Sequence, residues 1–270
     1  MLPVVIAGIG VAGLFLNKAS SNNERAERMN AKAFNRMGEA QRHLMVQRSQ
    51  TEKALIKLAN RKKGIMASSF KRFVELYEQV IRIDVLDNSE NVELLGKILE
   101  SFDVQEMKSM VAVSGMAMTE QELVFTMLFS FKHGGILGSI LKDSEINMQI
   151  ASMRKKQANA VAMQSENEEI ALKGIYDQAE AVSDVLAKLN LLFLKSMKSS
   201  EKIIDQYGAD KALYTNNDKK LLMTCINIAK AVKDVVDAPL FDDEGNIGQQ
   251  IQAILAEGKA SLNKFSGLYE

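Results

Sequence analysis

Met107 to Leu141, MKSMVAVSGMAMTEQELVFTMLFSFKHGGILGSIL, is the most apolar internal stretch of the chain, and its reading decides the fold. Two uncharged runs, residues 110–119 and 123–131, are divided by Glu120 and Glu122. A helix that crosses a bilayer needs about 20 consecutive apolar residues, so this stretch is too short and too interrupted for one clear span. It is also too apolar for a loop. Thr119-Glu120-Gln121-Glu122 has the spacing of a capping box, in which the Thr hydroxyl and the Glu carboxylate satisfy free amides at a helix start. His133-Gly134-Gly135 is a matching stop, because glycine takes a left-handed backbone without steric cost. The pattern predicts two short apolar helices, at about 104–117 and 120–132, then a Gly-rich turn. Leu123, Val124, Phe125, Leu128, Phe129 and Phe131 form the apolar centre. Three roles suit it: the core of a helical bundle, a membrane-facing element, or an oligomer interface.

Long helical patterns lie on both sides. Upstream, Met29, Ala33, Met37, Ala40, Leu44, Leu55, Leu58, Ile65, Phe73, Leu76 and Val80 recur mostly at three- and four-residue steps, one buried stripe of an α-helix. Ser21-x-x-Glu24 caps its start, and a continuous helix over 22–82 would be about 90 Å long. Gly64 weakens the middle by about 1 kcal/mol relative to alanine and is the expected place for a bend. Asp87-Asn88-Ser89 reads as a turn, residues 91–100 as a short helix, and Asp103-x-x-Glu106 as a cap into the centre. Downstream, Asp143 or Ser144 opens a second long helix that runs to about Tyr207, before Gly208. Ile146, Ile150 and Met153 at one end and Val182, Leu186, Leu189 and Phe193 at the other share its apolar side. Thr215 or Asn216 caps a further helix carrying Leu221, Leu222, Cys225, Ile228, Val232 and Val235; Pro239 stops it, and a last helix covers about 248–265.

Composition agrees with helix throughout. The 270 residues include 2 prolines, no tryptophan and 15 methionines, and an apolar content of 47% is enough for a core and argues against disorder. A single cysteine, Cys225, excludes an internal disulfide framework and fits a reducing compartment. Met-Leu-Pro lacks the basic start of a secretory signal. With only His43, His133 and Cys225, far apart, little is available for a zinc site or a nucleophilic triad, and no enzyme activity or cofactor is expected. The net charge is zero but unevenly spread: Lys18 to Arg72 holds fourteen Lys/Arg against four Glu. A basic arm of this kind suits membrane phospholipid, nucleic acid or the acidic half of the same chain.

Residues 2–15, LPVVIAGIGVAGLF, are uncharged and almost wholly apolar. As a helix they extend about 21 Å, short of the roughly 30 Å bilayer core, a difference that local thinning or a neighbouring helix makes up. Val4, Val5, Ile6, Gly8, Gly10, Val11, Ala12, Leu14 and Phe15 are the expected membrane segment, with Gly8 and Ala12 at the small-xxx-small spacing of packed membrane helices. The basic excess that follows holds the next residues on the cytoplasmic side. The other reading is a buried first helix of a soluble bundle. The same residues spell Gly8-x-Gly10-x-x-Gly13, a dinucleotide fingerprint that counts only inside a βαβ unit. Here an unbroken helical pattern follows, so no second strand is available. The acids after Asp242 resemble a calcium loop, but its sixth position would be Ile247 where glycine is needed.

Two basic clusters stand on the long helices, Arg61-Lys62-Lys63 and Arg154-Lys155-Lys156. They are either solvated surface or a collar for an anionic ligand or nucleic acid. No aromatic interleaving supports a stacking platform for single strands.

Three pieces together, VVIAGIGVAG at 4–13, KRFVELYE at 71–78 leading into Ile83-Asp84, and residues 218–220 onward through AKAVKDVVDAPLFDDEGNI, resemble an uncharacterised bacterial family of membrane-associated helical proteins. Those proteins have a Gly/Ala-rich apolar N-terminus and an apolar central hairpin. The resemblance implies a membrane-associated helical protein and transfers no catalytic residue. Here the centre departs from that pattern, being shorter, rich in Met and Phe, and broken by Glu120 and Glu122.

The expectation is an all-α protein, a long antiparallel helical hairpin or bundle. Its parts are an apolar N-terminal helix (1–17), a long basic arm with a short helix (18–106), apolar central helices (107–141), a second long helix (142–208) and a C-terminal helical pair (209–270). The expected function is a membrane-associated homo-oligomer of the bacterial inner membrane, its bulk cytoplasmic, that forms or gates a pore or ion channel. An open pore is toxic, so an anionic inhibitor, nucleic acid or regulatory protein partner would hold it shut; an effector of anti-phage defence fits this logic. The alternative is a soluble coiled-coil scaffold without membrane activity.

Overall fold

Partner residues on the two long helices rise together in number. Thr51 Oγ1 donates to the Leu172 carbonyl at 3.1 Å, Lys57 Nζ to Glu180, Arg61 to the Ser183 carbonyl, and Ser69 Oγ to Asn190 Oδ1 at 2.7 Å. The long helices are therefore parallel, which corrects the expected antiparallel hairpin. Antiparallel pairing follows from a short connection between neighbouring helices. Here the connection is long, and of the two helices described within it the earlier one runs back along the first long helix.

These relationships come from a computed structural model that describes residues 23–83, 104–129, 168–242, 247–248 and 250–268. The segment 1–17, the Ser21 cap, the turn at 87–89, the helix at 91–100, the Asp103 cap, the stop at 133–135 and the start of the second long helix lie outside those residues. Among the described residues the fold is all-α, with isolated bridges joining Phe129 to Phe241 and Phe241 to Ile247.

Helix α1 (Asn23–Ile65) passes through Gly64 without ending and continues through one π-helical turn (Met66–Phe70) into α2 (Lys71–Ile83). The π-helical turn stands just past Gly64, where the sequence suggests a bend, and Ser68 ties it back by donating to the Gly64 carbonyl at 2.6 Å. Leu55, Leu58, Ile65, Phe73, Leu76 and Val80 are all buried, as the periodicity requires. Helices α3 (Val104–Ser114) and α4 (Glu120–Leu128) follow, and α3 runs back along the first long helix. Lys108 pairs with Glu78 and Lys63 donates to the Met116 carbonyl, so rising numbers in α3 meet falling numbers in α1–α2.

Helix α5 (Glu168–Tyr207) is the second long helix, and Gly208 follows it with φ +60°, the left-handed cap that glycine allows. Tyr207 and Tyr214 pack across the turn, with ring centroids 5.4 Å apart. Thr215 forms a full capping box with Asp218 and opens α6 (Asn216–Asp237), antiparallel to α5. Helix α7 (Gln250–Phe265) turns again, with Gln252 donating to Gln178. Gly258 lies so close to α5 and α6 that a Cβ there would stand 3.1 Å from Val185 and 3.2 Å from Val235. One hydrophobic cluster joins α1 to α7, with Phe70, Phe73 and Phe193 at its aromatic centre.

Candidate functional site

The described part of the apolar centre belongs to this core. Thr119 caps α4, its hydroxyl accepting from the Glu122 amide while the Glu122 carboxylate accepts from the Thr119 amide. Leu123, Val124, Phe125, Leu128 and Phe129 are all buried, and Met107 and Met110 on α3 are fully so. Of the three roles the sequence left open, the structure shows the bundle core. Phe131 lies outside the described residues. Helix α3 ends at Ser114 rather than near 117. Helix α4 ends at Leu128 rather than 132, because Phe129 is extended and meets Phe241.

That meeting point brings the C-terminal ends of α4 and α6 together. Pro239 has no amide hydrogen, and the chain leaves α6 at Ala238. Two residues on, the Leu240 and Phe241 amides both donate to the Leu128 carbonyl, at 2.7 and 2.9 Å. The Phe129 and Phe241 rings stack at 4.7 Å, and Phe125 packs against Phe129 at 4.8 Å. Lys62 reaches into this seam from α1. Its Nζ donates to the Met127 carbonyl at 3.0 Å and the Ala238 carbonyl at 2.6 Å, and the side chain is fully buried. Both acceptors are carbonyls at helix C-terminal ends, where the helix supplies no donor and its dipole favours a cation. Burial nevertheless lowers the Lys62 pKa from 10.5 to about 7, with Asp237 acting in the opposite direction.

Lys62 is thus a correction to the expected basic cluster. Successive helix residues point about 100° apart, so three neighbours cannot share one face. Arg61 donates to the Ser183 carbonyl on α5, Lys62 to the α4 and α6 ends, and Lys63 to the turn between α3 and α4. They do not form a collar on the surface. One signal in the sequence pointed this way: residue 62 sits four after Leu58 and three before Ile65, on the apolar stripe itself. Arg154, Lys155 and Lys156 lie outside the described residues, as does the membrane segment Val4, Val5, Ile6, Gly8, Gly10, Val11, Ala12, Leu14 and Phe15.

Two other ionisable groups are shifted by burial. Burial pushes the Cys225 thiol up to about 11, so it is protonated at neutral pH, and Ser196 Oγ lies 3.4 Å from its sulfur. Burial likewise raises the Asp234 carboxyl. Among the described residues no group of three His, Cys, Asp or Glu is placed to hold a metal ion.

The architecture defines a class, an all-α bundle built on a parallel pair of long helices. Compared with protein-family models, with curated proteins and with solved structures, the chain finds no match in any of the three.

Proposed function

We propose that this chain is a membrane-anchored helical protein that assembles with copies of itself to form or gate a pore. In this reading the anchor is the N-terminal segment rather than the apolar centre. The observation that carries it is the division of apolar residues: α3 and α4 place theirs inside the bundle, while residues 2–15 precede the basic N-terminal part of α1. Among the described residues no helix is long and apolar enough to cross a membrane.

Helix α1 begins 25 residues before Arg48, the residue that pairs with Glu168 at the first described turn of α5. Close to that pair in sequence, Met45 is 63%, Val46 56% and Ile170 73% exposed. We place the contact between subunits at these exposed apolar residues. The membrane effector role, with an anionic or protein inhibitor, belongs to the same proposal. Within the Arg61–Lys63 cluster, Lys62 is buried and leaves only Arg61 and Lys63 to meet an anionic inhibitor.

Burial of the apolar centre favours a second reading, a scaffold that works through helix pairing alone. Carbonate extraction of membranes separates the two. Retention of the full chain and release of a form lacking residues 2–16 support the anchor, and complete release of the full chain leaves the scaffold. Ion leakage from liposomes bearing the full chain tests the pore. Tight association without leakage would retain the anchor and remove the pore.

A further inference from the structure

We propose that the outer face of α5 pairs, antiparallel, with the same face of a second copy of this chain. The pairing stands on the helical body alone; only its consequence for the anchor, given below, rests on the membrane reading.

At three- and four-residue steps, Lys173, Asp177, Glu180, Asp184 and Lys188 occupy one stripe of α5. Leu191, Lys195, Lys198, Lys202 and Asp205 continue it, over about 48 Å in all. The stripe lies opposite the side on which Val182, Leu186, Leu189 and Phe193 are buried. Its side chains are exposed except for Glu180, which is half-buried, and Leu191 is 59% exposed. Every charged residue between Ile170 and Tyr207 stands on it except Glu201, which pairs with Arg72 of α2.

The order of the signs decides what fits. Asp177, Glu180 and Asp184 form a block of negative charge at adjacent turns, and Lys195, Lys198 and Lys202 a block of positive charge. Like charges three or four residues apart repel along a helix, so sorting them into blocks weakens a helix that faces only solvent. Asp184 pairs with Lys188 on the same helix, and Glu180 with Lys57 of α1. Among the described residues Asp177, Lys195, Lys198 and Lys202 have no ion-pair partner.

Turned end for end, the stripe meets its own opposite. About a two-fold axis between Leu189 and Asn190, Lys173 faces Asp205 of the second copy, Asp177 faces Lys202, Glu180 faces Lys198 and Asp184 faces Lys195. Each of these contacts occurs twice, as a two-fold interface requires. At the centre Leu191 falls beside the aliphatic stem of the second copy's Lys188. Parallel pairing in the same register would set each block against its like. Exposed ion pairs are individually weak and are screened by salt, so the contact is reversible.

Helix α1 lies parallel to α5. The pairing therefore points the two α1 N-termini in opposite directions, and a flat membrane meets the anchor of one copy only. Within the membrane reading this dimer is the resting form, and its separation precedes assembly.

A single cysteine at position 191 tests the pairing on the full chain in mild nonionic detergent, with a short bismaleimide as the probe. At about 0.05 M salt Leu191→Cys is expected to crosslink between chains, since the two copies of that position stand within roughly 5 Å along the axis, while Lys173→Cys is not. Raising the salt to about 0.5 M is expected to lower the yield at least tenfold. In the Leu191→Cys background, Lys195→Glu with Lys202→Glu removes the crosslink. Mixing that chain with Leu191→Cys carrying Asp177→Lys and Asp184→Lys restores it, because every reversed site then meets its complement. All of these side chains are exposed, so the fold is not at stake. No crosslink at position 191 in low salt, equal crosslinking at position 173, or no rescue on mixing overturns the pairing. Vesicles of phosphatidylglycerol that bind the wild type but not Lys195→Glu with Lys202→Glu, with no crosslink at position 191, give the lysines to a lipid surface and overturn it as well. Carbonate extraction reads the anchor separately: a crosslinked dimer released from membranes keeps the pairing and removes its resting role.

Discussion

Thr51 and Leu172 stand at the same level of two parallel helices, the hydroxyl of one donating to the carbonyl of the other across 121 residues of sequence. The single hydroxyl proton is shared with its own helix, the Gln47 carbonyl lying 2.9 Å from the same oxygen. A polar contact that binds two helices at one level sets their register. It also sets their direction, because the pairs above it, Lys57 with Glu180 and Ser69 with Asn190, follow in rising order.

Direction is testable by crosslinking. Lys57→Cys with Glu180→Cys replaces a pair 2.8 Å apart and is expected to react efficiently with a short bismaleimide. Lys57→Cys with Asp205→Cys is expected not to react, since 25 further helical residues separate that position by about 37 Å. Crosslinking of the second pair within one chain, and not of the first, would reverse the long-helix arrangement. Cys225 is buried and its thiol is protonated at neutral pH, so it does not compete.

Global stability is expected to rise from pH 7 to pH 9. The Lys62 amine has a folded pKa lowered to about 7, below its ordinary 10.5. The unfolded chain therefore binds more protons between those values, and stability increases with pH by up to about 1.4 kcal/mol per unit. Cys225 acts with the opposite sign above pH 9, where a thiol raised from 9.0 to about 11 keeps its proton in the folded chain alone. Urea midpoints at pH 7, 8 and 9 measure the rise, and Lys62→Met is expected to remove it.

Two glycines of the helices differ in what surrounds them. Nothing lies within 4 Å of a Cβ built on Gly64, so Gly64→Ala is expected to stabilise the chain by about 0.5–1 kcal/mol through helix propensity. Gly258 faces Val185 and Val235 at the closest approach of α7, and Gly258→Leu is expected to cost about 1–3 kcal/mol through overpacking. Thermal and urea denaturation of the two variants checks both signs.

Local features were legible in the sequence wherever local chemistry decides them. The Thr119 and Thr215 caps, the glycine after Tyr207 and the stripe from Leu55 to Val80 each follow from residues a few positions apart. What was not legible depends on distant parts of the chain. The direction of α5 shows only in its contacts with α1, some 120 residues away in sequence, and the end of α4 follows from Phe241, over a hundred residues away. Lys62 lay on the stripe, but its charge pointed to solvent, and only the two carbonyls from α4 and α6 explain its burial. The apolar centre was ambiguous for the same reason. Its greasiness suits a membrane or a core equally, and α1 and α6 decide which one the described part meets.

The most direct test of the whole account is a polarity-sensitive fluorophore placed on Val11→Cys or on Ala117→Cys, with spectra taken before and after addition of anionic liposomes. Ala117 is exposed between α3 and α4 and reports on the apolar centre, whereas Val11 reports on the proposed anchor. The account predicts a blue shift and brightening at position 11 and none at position 117. No response at position 11, or insertion reported at position 117, would contradict it.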